Sequence, residues 1–229
     1  MTAHLSRRLF RLCRACTALA LAAALPFAAH TPAASAASAA LPAAAEASLA
    51  ELPAFDAMPA GSAEELQKLL APLAAAHLSG GFEERRAVPG FPKPMVTTGV
   101  FEVAGDRLIW RAEKPFPSVM TVGPEGVVID SGGEKQVLAA ADVPAAGRIA
   151  ELLTGVLSGR FDALSALFDV RARRSGDGVC AAAKPRSAEL AQYVGEIRAA
   201  GRAHVERIEL FSPQGERTEI TFSGMTAGR

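Results

Sequence analysis

Residues 99–130, GVFEVAGDRLIWRAEKPFPSVMTVGPEGVVID, hold the only tryptophan of the chain, Trp110, and alternate apolar with polar side chains. A two-residue turn at Gly105-Asp106 would pair Ala104 with Arg107, Val103 with Leu108, Glu102 with Ile109 and Phe101 with Trp110. That single register puts Phe101, Val103, Leu108 and Trp110 on one face. Glu102, Ala104, Arg107 and Arg111 share the other, as a half-buried hairpin requires. Glycine at the first turn position predicts type II′ geometry. Pro115 and Pro117 then break the pattern; 118–122 reads as a third strand, 123–126 as a turn and 127–129 as a fourth strand, an antiparallel meander.

Upstream, Ser62 followed three positions later by Glu65 is a capping box. Leu66, Leu69, Leu70 and Leu73 continue from it at helical spacing and make one apolar stripe. Pro72 removes a backbone donor, so the helix should kink there or run on less regularly toward His77. Gly80-Gly81 is expected to end that element and Phe82 to begin the first strand, with a charged run over 83–86. Pro89, Gly90, Pro92 and Pro94 make 89–95 a stiff extended loop.

Downstream, 130–136 reads as a polar, glycine-bearing connection. Pro144 introduces a helical pattern carried by Ile149, Leu152, Leu153, Val156 and Leu157, and a short second helix is expected over 162–168. Strand signals return at 170–173, 179–183 and 193–199. In the last hairpin Ile208 and Leu210 alternate with polar neighbours, Pro213-Gln214-Gly215 turns, and Thr218, Ile220 and Phe222 alternate again. About eight short antiparallel strands with two helical insertions therefore have to bury one sheet face. With so few helices the sheet must curl on itself or wrap around them.

The first 36 residues differ from the rest. Arg7, Arg8, Arg11 and Arg14 precede an uncharged apolar run over 15–29 and then small residues fitting signal-peptidase cleavage after Ala36 or Ala39. We read 1–36 as a cleaved secretory signal, since the run is shorter than the roughly 20 residues a membrane span needs and Pro26 breaks it. Residues 37–60 are an Ala/Pro-rich linker or loosely docked helix, and 61–229 form one domain. The chain has 24 basic and 24 acidic residues; loss of the four arginines leaves 20 against 24, a formal charge of −4. Such an exported, mildly acidic domain carries no electrostatic footprint for nucleic acid. Cys180 is left as the one mature cysteine, so an apolar core rather than a disulfide must hold the fold.

Little in the chain suggests catalysis. The stretch 127–132, Val-Val-Ile-Asp-Ser-Gly, resembles an aspartic-protease signature, but such enzymes need two aspartates and Asp130 stands in one copy. A strand ending in an Asx-type turn is the simpler reading. His77 and His204 lack partners at metal-ligand spacing, Cys180 lies among alanines on an expected strand, and neither a phosphate loop nor a nucleophile elbow occurs. No catalytic residue, metal or cofactor is expected. Trp110 reads as core and also as a candidate ligand wall, because a curled sheet with one apolar face and few helices leaves a cavity suited to a hydrophobic ligand.

The helix at Leu66 leading to Gly81-Phe82, then Gly99-Val100-Phe101, Arg107-Leu108-Ile109-Trp110, Pro115 with Val119 to Val122, and Glu125-Gly126-Val127 before Asp130 are the residues that carry a resemblance. With Ile208-Glu209-Leu210 and Gly215 to Phe222, they resemble the periplasmic outer-membrane lipoprotein carriers of the LolA type over about residues 62–223. The resemblance implies an α+β fold: an unclosed antiparallel β-barrel, a curled half-barrel sheet, with helices forming a lid over an apolar cavity for acyl chains. It implies a lining of Phe82, Phe101, Val103, Leu108, Trp110, Met120, Val122, Ile208, Leu210, Ile220 and Phe222, and a lid helix carrying Leu66, Leu69, Leu70 and Leu73. The family carries a basic residue in the turn before the tryptophan strand and a further C-terminal segment. Here the turn is Ala104-Gly105-Asp106 and the chain ends soon after Phe222, which marks a divergent member.

The expected function is that of a monomeric periplasmic carrier for an acylated lipoprotein or other lipid, moving cargo from an inner-membrane donor protein to an outer-membrane acceptor. The alternative is a structural or interaction module of the envelope whose barrel is filled by its own helices, with function residing in edge strands or loops.

Overall fold

The computed structural model describes residues 52–139, 154, 155, 157 and 161–228. The expected signal, most of the linker and most of the helix after Pro144 lie outside these residues. Ser62 Oγ accepts from the Glu65 N–H at 3.3 Å and the Glu65 carboxylate accepts from the Ser62 N–H at 2.8 Å, closing the capping box that opens α1 (Ala63–Leu70). These bonds hold the Glu65 carboxyl below its ordinary range. Pro72 has no donor to extend the helix, which tightens into one 3-10 turn over Ala71–Leu73 before the first strand.

Among the described residues eleven strands follow, where sequence periodicity suggested about eight: β1 (His77–Ala87), β2 (Met95–Ala104), β3 (Arg107–Lys114), β4 (Ser118–Gly123), β5 (Gly126–Ser131), β6 (Glu134–Ala139), β7 (Phe168–Ser175), β8 (Gly178–Pro185), β9 (Glu196–Gly201), β10 (Val205–Phe211) and β11 (Arg217–Gly228). Two short helices interrupt them, α2 (Phe161–Leu167) and α3 (Ala188–Ala191); residues 154, 155 and 157 are also helical. All pairings are antiparallel, in the order β6-β5-β4-β3-β2-β1-β11-β10-β9-β8-β7. Two meanders are thus joined where the first strand pairs with the last. The sheet stays open, with β6 and β7 as its edges.

The β2–β3 hairpin has the expected register, Phe101 opposite Trp110 and Val103 opposite Leu108. Gly105 takes φ of 61° while Asp106 does not go positive, as a glycine-first hairpin turn requires. Three other expectations need correction. Gly80-Gly81 does not end the helical element; it lies inside β1, which starts at His77, and marks a register shift between Ser79 and Gly81 against β11. A Cβ on Gly80 would meet the Ser223 carbonyl oxygen at 2.8 Å and the Met225 sulfur at 2.9 Å, so the glycine serves a close strand approach. The supposed connection 130–136 is a tight hairpin around Gly132-Gly133 that starts β6. The strand expected from Tyr193 begins at Glu196, because Ser187 caps α3 just before it. Of the two readings of the Ala/Pro-rich stretch, linker or docked segment, the part within the described residues is docked.

That docked strap places Leu52, Phe55 and Met58 on Cys180, Ala182 and Ala200, small residues of β8 and β9 that leave room on the convex face. Arg198 Nη1 donates to the Leu52 carbonyl at 3.0 Å, and Arg171 Nη1 to those of Phe55 and Met58 at 3.3 and 3.1 Å. The Arg171 guanidinium also lies 4.2 Å from the Phe55 ring centroid. Further along the same face, Glu209 is wholly buried beneath Arg207 and Arg217, at 2.6 and 2.9 Å.

The opposite face carries the main core. One cluster unites Leu108, Val122 and Val127 from one arm of the sheet with Phe168, Ala172 and Val179 from the other, together with Leu70 and Leu73. The two arms join one core through the strands between them and through α1, whose Leu70 and Leu73 belong to the same cluster, and the architecture is an unclosed antiparallel half-barrel with few helices against its concave side.

Candidate functional site

The concave face is built from rows of side chains set by the strand registers. One row runs Ala172, Ala181, Ala199, Ile208, Ile220, Glu84 and Thr97. The next runs Val170, Ala183, Ile197, Leu210, Thr218, Arg86 and Met95. Small alanines line the β7–β9 arm and large side chains the β1–β4 arm, which gives the face an uneven, concave relief.

The large side chains centre on Trp110. Its ring stacks on Phe82 with centroids 3.9 Å apart, and Phe101 and Phe222 approach it at 5.9 and 6.1 Å. Phe101 and Phe222 meet edge to face at 5.0 Å. The register explains the gathering: Phe82 lies opposite Phe222 on one side and Gly99 on the other, and the missing side chain at Gly99 lets the neighbouring rings close over it. A Cβ there would run into the Arg111 carbonyl oxygen, at the point where the β2–β3 register shifts.

All eleven expected lining residues lie on this face and in or against its cluster: Phe82, Phe101, Val103, Leu108, Trp110, Met120, Val122, Ile208, Ile220 and Phe222 are buried and Leu210 is half-buried. Of the lid stripe, Leu70 and Leu73 are buried, whereas Leu66 and Leu69 are only partly covered. A second cover comes from Leu157 and Leu164, which lie between β6 and β7 in the chain and join the same cluster.

Two residues of the face escaped the sequence reading. Glu84 is 4% exposed and Arg86 8%. Both belong to the charged run that looked like solvated strand. The available signal was parity: 82, 84 and 86 share a side of a strand. Burial pushes the Glu84 carboxyl up to about 8, against the attraction of Arg86, so it is protonated at neutral pH. Arg86 Nη2 donates to Glu216 at 2.7 Å.

The other candidates fall into structural roles. Asp130 Oδ1 accepts from the Gly133 N–H at 3.2 Å and braces the β5–β6 turn, the Asx-type geometry expected of it. Cys180 is buried under the strap. Among the described residues no cluster of His, Cys, Asp and Glu could hold a metal ion, and no helix is long and apolar enough to cross a membrane.

The fold and face together define an open half-barrel with an apolar concave side under short helices. No protein-family profile and no curated protein sequence matches the chain. Among solved structures it is similar to a LolA superfamily protein from Nitrosomonas europaea, with 10% identity, 74% of this chain and 95% of that chain covered, and a TM-score of 0.39. It is also similar to the MucA/MucB complex of Pseudomonas aeruginosa (15% identity, 72% and 56% covered, TM-score 0.41) and to lipoprotein LppX of Mycobacterium tuberculosis (10%, 73% and 98%, TM-score 0.38). At such scores these likenesses carry no weight for ligand or partner, and the site is read from its own residues.

Proposed function

We propose that this chain is a non-catalytic carrier that shields acyl chains between its concave sheet face and the covering helices. The observation that supports this most is the pairing of a continuous apolar face, spread over an open sheet, with a cover of short helices whose Leu66 and Leu69 are only half-seated. Such a cover can lift without unpairing a strand. Each methylene buried contributes about 0.8 kcal/mol, so a chain of about 14 to 16 carbons supplies roughly 10 kcal/mol before ordering costs. Recognition by burial alone discriminates poorly between chains of similar length.

In this reading residues 1–36 direct export and are removed, 37–60 link them to the domain at 61–229, and the carrier works in the periplasm. It takes a lipoprotein or other lipid from an inner-membrane donor and delivers it to an outer-membrane acceptor, as a monomer. Calorimetric titration with palmitate or a lipopeptide tests the binding step; saturable binding weakened by Trp110→Ala is expected, and no saturable heat would overturn the reading.

A second reading has one observation in its favour. The Phe82–Trp110 stack at 3.9 Å already fills the centre of the face, as a self-filled barrel serving as a structural or interaction module would require. The same titration separates the two, since a filled barrel binds no chain.

A further inference from the structure

Among the described residues the buried charged groups are Glu84, Arg86 and Glu209. Glu209 faces the convex side, where it accepts from Arg207 and Arg217. Glu84 and Arg86 instead face the concave side, in register with Ile220 and Thr218 of β11 and Thr97 and Met95 of β2. They stand next along β1 from Phe82, whose ring stacks on Trp110. An apolar trough thus ends in a carboxyl and a guanidinium.

The two are not an ion pair. Arg86 is turned to Glu216 at 2.7 Å, and Glu84 has no hydrogen-bond partner among the described residues. Glu84 is 4% exposed and no hydrogen bond from the described residues holds its side chain, so its carboxyl is free to take a group that arrives at the concave face. Its protonated carboxyl can donate one hydrogen bond and accept another. The neighbouring guanidinium favours an oxygen acceptor there and disfavours a cation. The in-register neighbours Thr97 and Ile220 are uncharged, and among the described residues the ionic groups placed beside it are Arg86 and, bonded to Arg86, Glu216.

We propose that Glu84, flanked by Arg86, is the polar end of the lipid site and hydrogen-bonds an acyl oxygen of the bound chain, carried by a free fatty acid or by an ester. This rests on the carrier reading above and deepens it: the chain lies along the aromatic cluster and its acyl oxygen is placed at Glu84. Chain burial provides affinity, and the single buried donor provides selection for acyl groups over plain hydrocarbon.

The test measures binding of laurate, methyl laurate and dodecane to the full chain through Trp110 emission, in wild type, Glu84→Leu and Glu84→Gln. Wild type should bind all three. Glu84→Leu should weaken the acyl probes about tenfold, as loss of one buried hydrogen bond implies, and leave dodecane within about twofold. Glu84→Gln keeps a donor and should retain the preference; it also guards against a folding defect in the leucine variant. An effect on laurate alone identifies a free carboxyl as the recognised source, and an effect on both probes includes the ester. If Glu84→Leu changes all three probes alike, or none, the polar-end proposal is wrong while the carrier reading stands. If wild type binds none of the three, the carrier reading itself fails.

Discussion

Replacing Glu84 by glutamine should change how stability depends on pH more than how large it is at acid pH. In the folded protein burial raises the Glu84 carboxyl from 4.5 to about 8. A folded-state value above the unfolded one means that stability is fully present below pH 4.5 and is lost as pH rises toward 8, because ionisation becomes easier in the unfolded chain than in the fold. Each unit corresponds to about 1.4 kcal/mol, so the loss is about 3 kcal/mol between pH 4.5 and 7 and about 5 kcal/mol by pH 8, an upper bound. Glutamine has the same shape and no proton to lose. Urea unfolding followed by far-ultraviolet circular dichroism at pH 5, 7 and 9 should therefore show Glu84→Gln close to wild type at pH 5 and increasingly more stable than wild type at pH 7 and 9. Parallel pH profiles for the two proteins would refute the reasoning, since they would mean that Glu84 is solvated or already paired.

Three further outcomes follow from the packing. Trp110→Ala removes the largest ring of the aromatic cluster and should cost about 3–5 kcal/mol in urea unfolding, with a loss under about 1 kcal/mol speaking against a packed cluster. Gly99→Ala forces a Cβ into the Arg111 carbonyl, so β2 and β3 must part; a drop in thermal midpoint of several degrees is expected, and an unchanged midpoint would contradict the close approach. Phe55→Ala should release the strap, seen as faster proteolysis within 52–60 with the barrel core still protected from amide exchange; unchanged cleavage would deny the strap its anchor.

The β2–β3 hairpin was legible in the sequence because three signals agreed there: period-two alternation, a Gly-Asp turn and a single register that sorted both faces. The capping box at Ser62 was legible for the same reason, a fixed spacing with one mechanical meaning. Glycine misled at two places. Gly80-Gly81 looks like a terminator but serves a close strand approach, and Gly132-Gly133 looks like loop but forms a hairpin turn, since the residue alone does not say which use of its freedom is made. The strand count fell short because β6 has the polar, exposed pattern of an edge strand, which lacks a buried face to reveal it.

On the concave face, the buried apolar positions could be read from parity within each hairpin, whereas the burial of Glu84 and Arg86 could not. Charge in a strand is ordinarily solvated, and the distant partner β11, which sets Ile220 beside Glu84, cannot be read from β1 itself. The strap was hidden likewise, because alanines in β8 and β9 give no sign of what rests on them until Arg171 and Arg198 are seen holding its backbone.

Trp110 is the single tryptophan, so its emission reports the concave face alone. Titrating the full chain with laurate below its micelle concentration and following that emission tests the carrier account most directly. A saturable shift in emission with one site per chain, lost in Trp110→Phe as the reporter control and matched by calorimetric heat, is the predicted result; emission that stays constant, with no saturable heat, would contradict it.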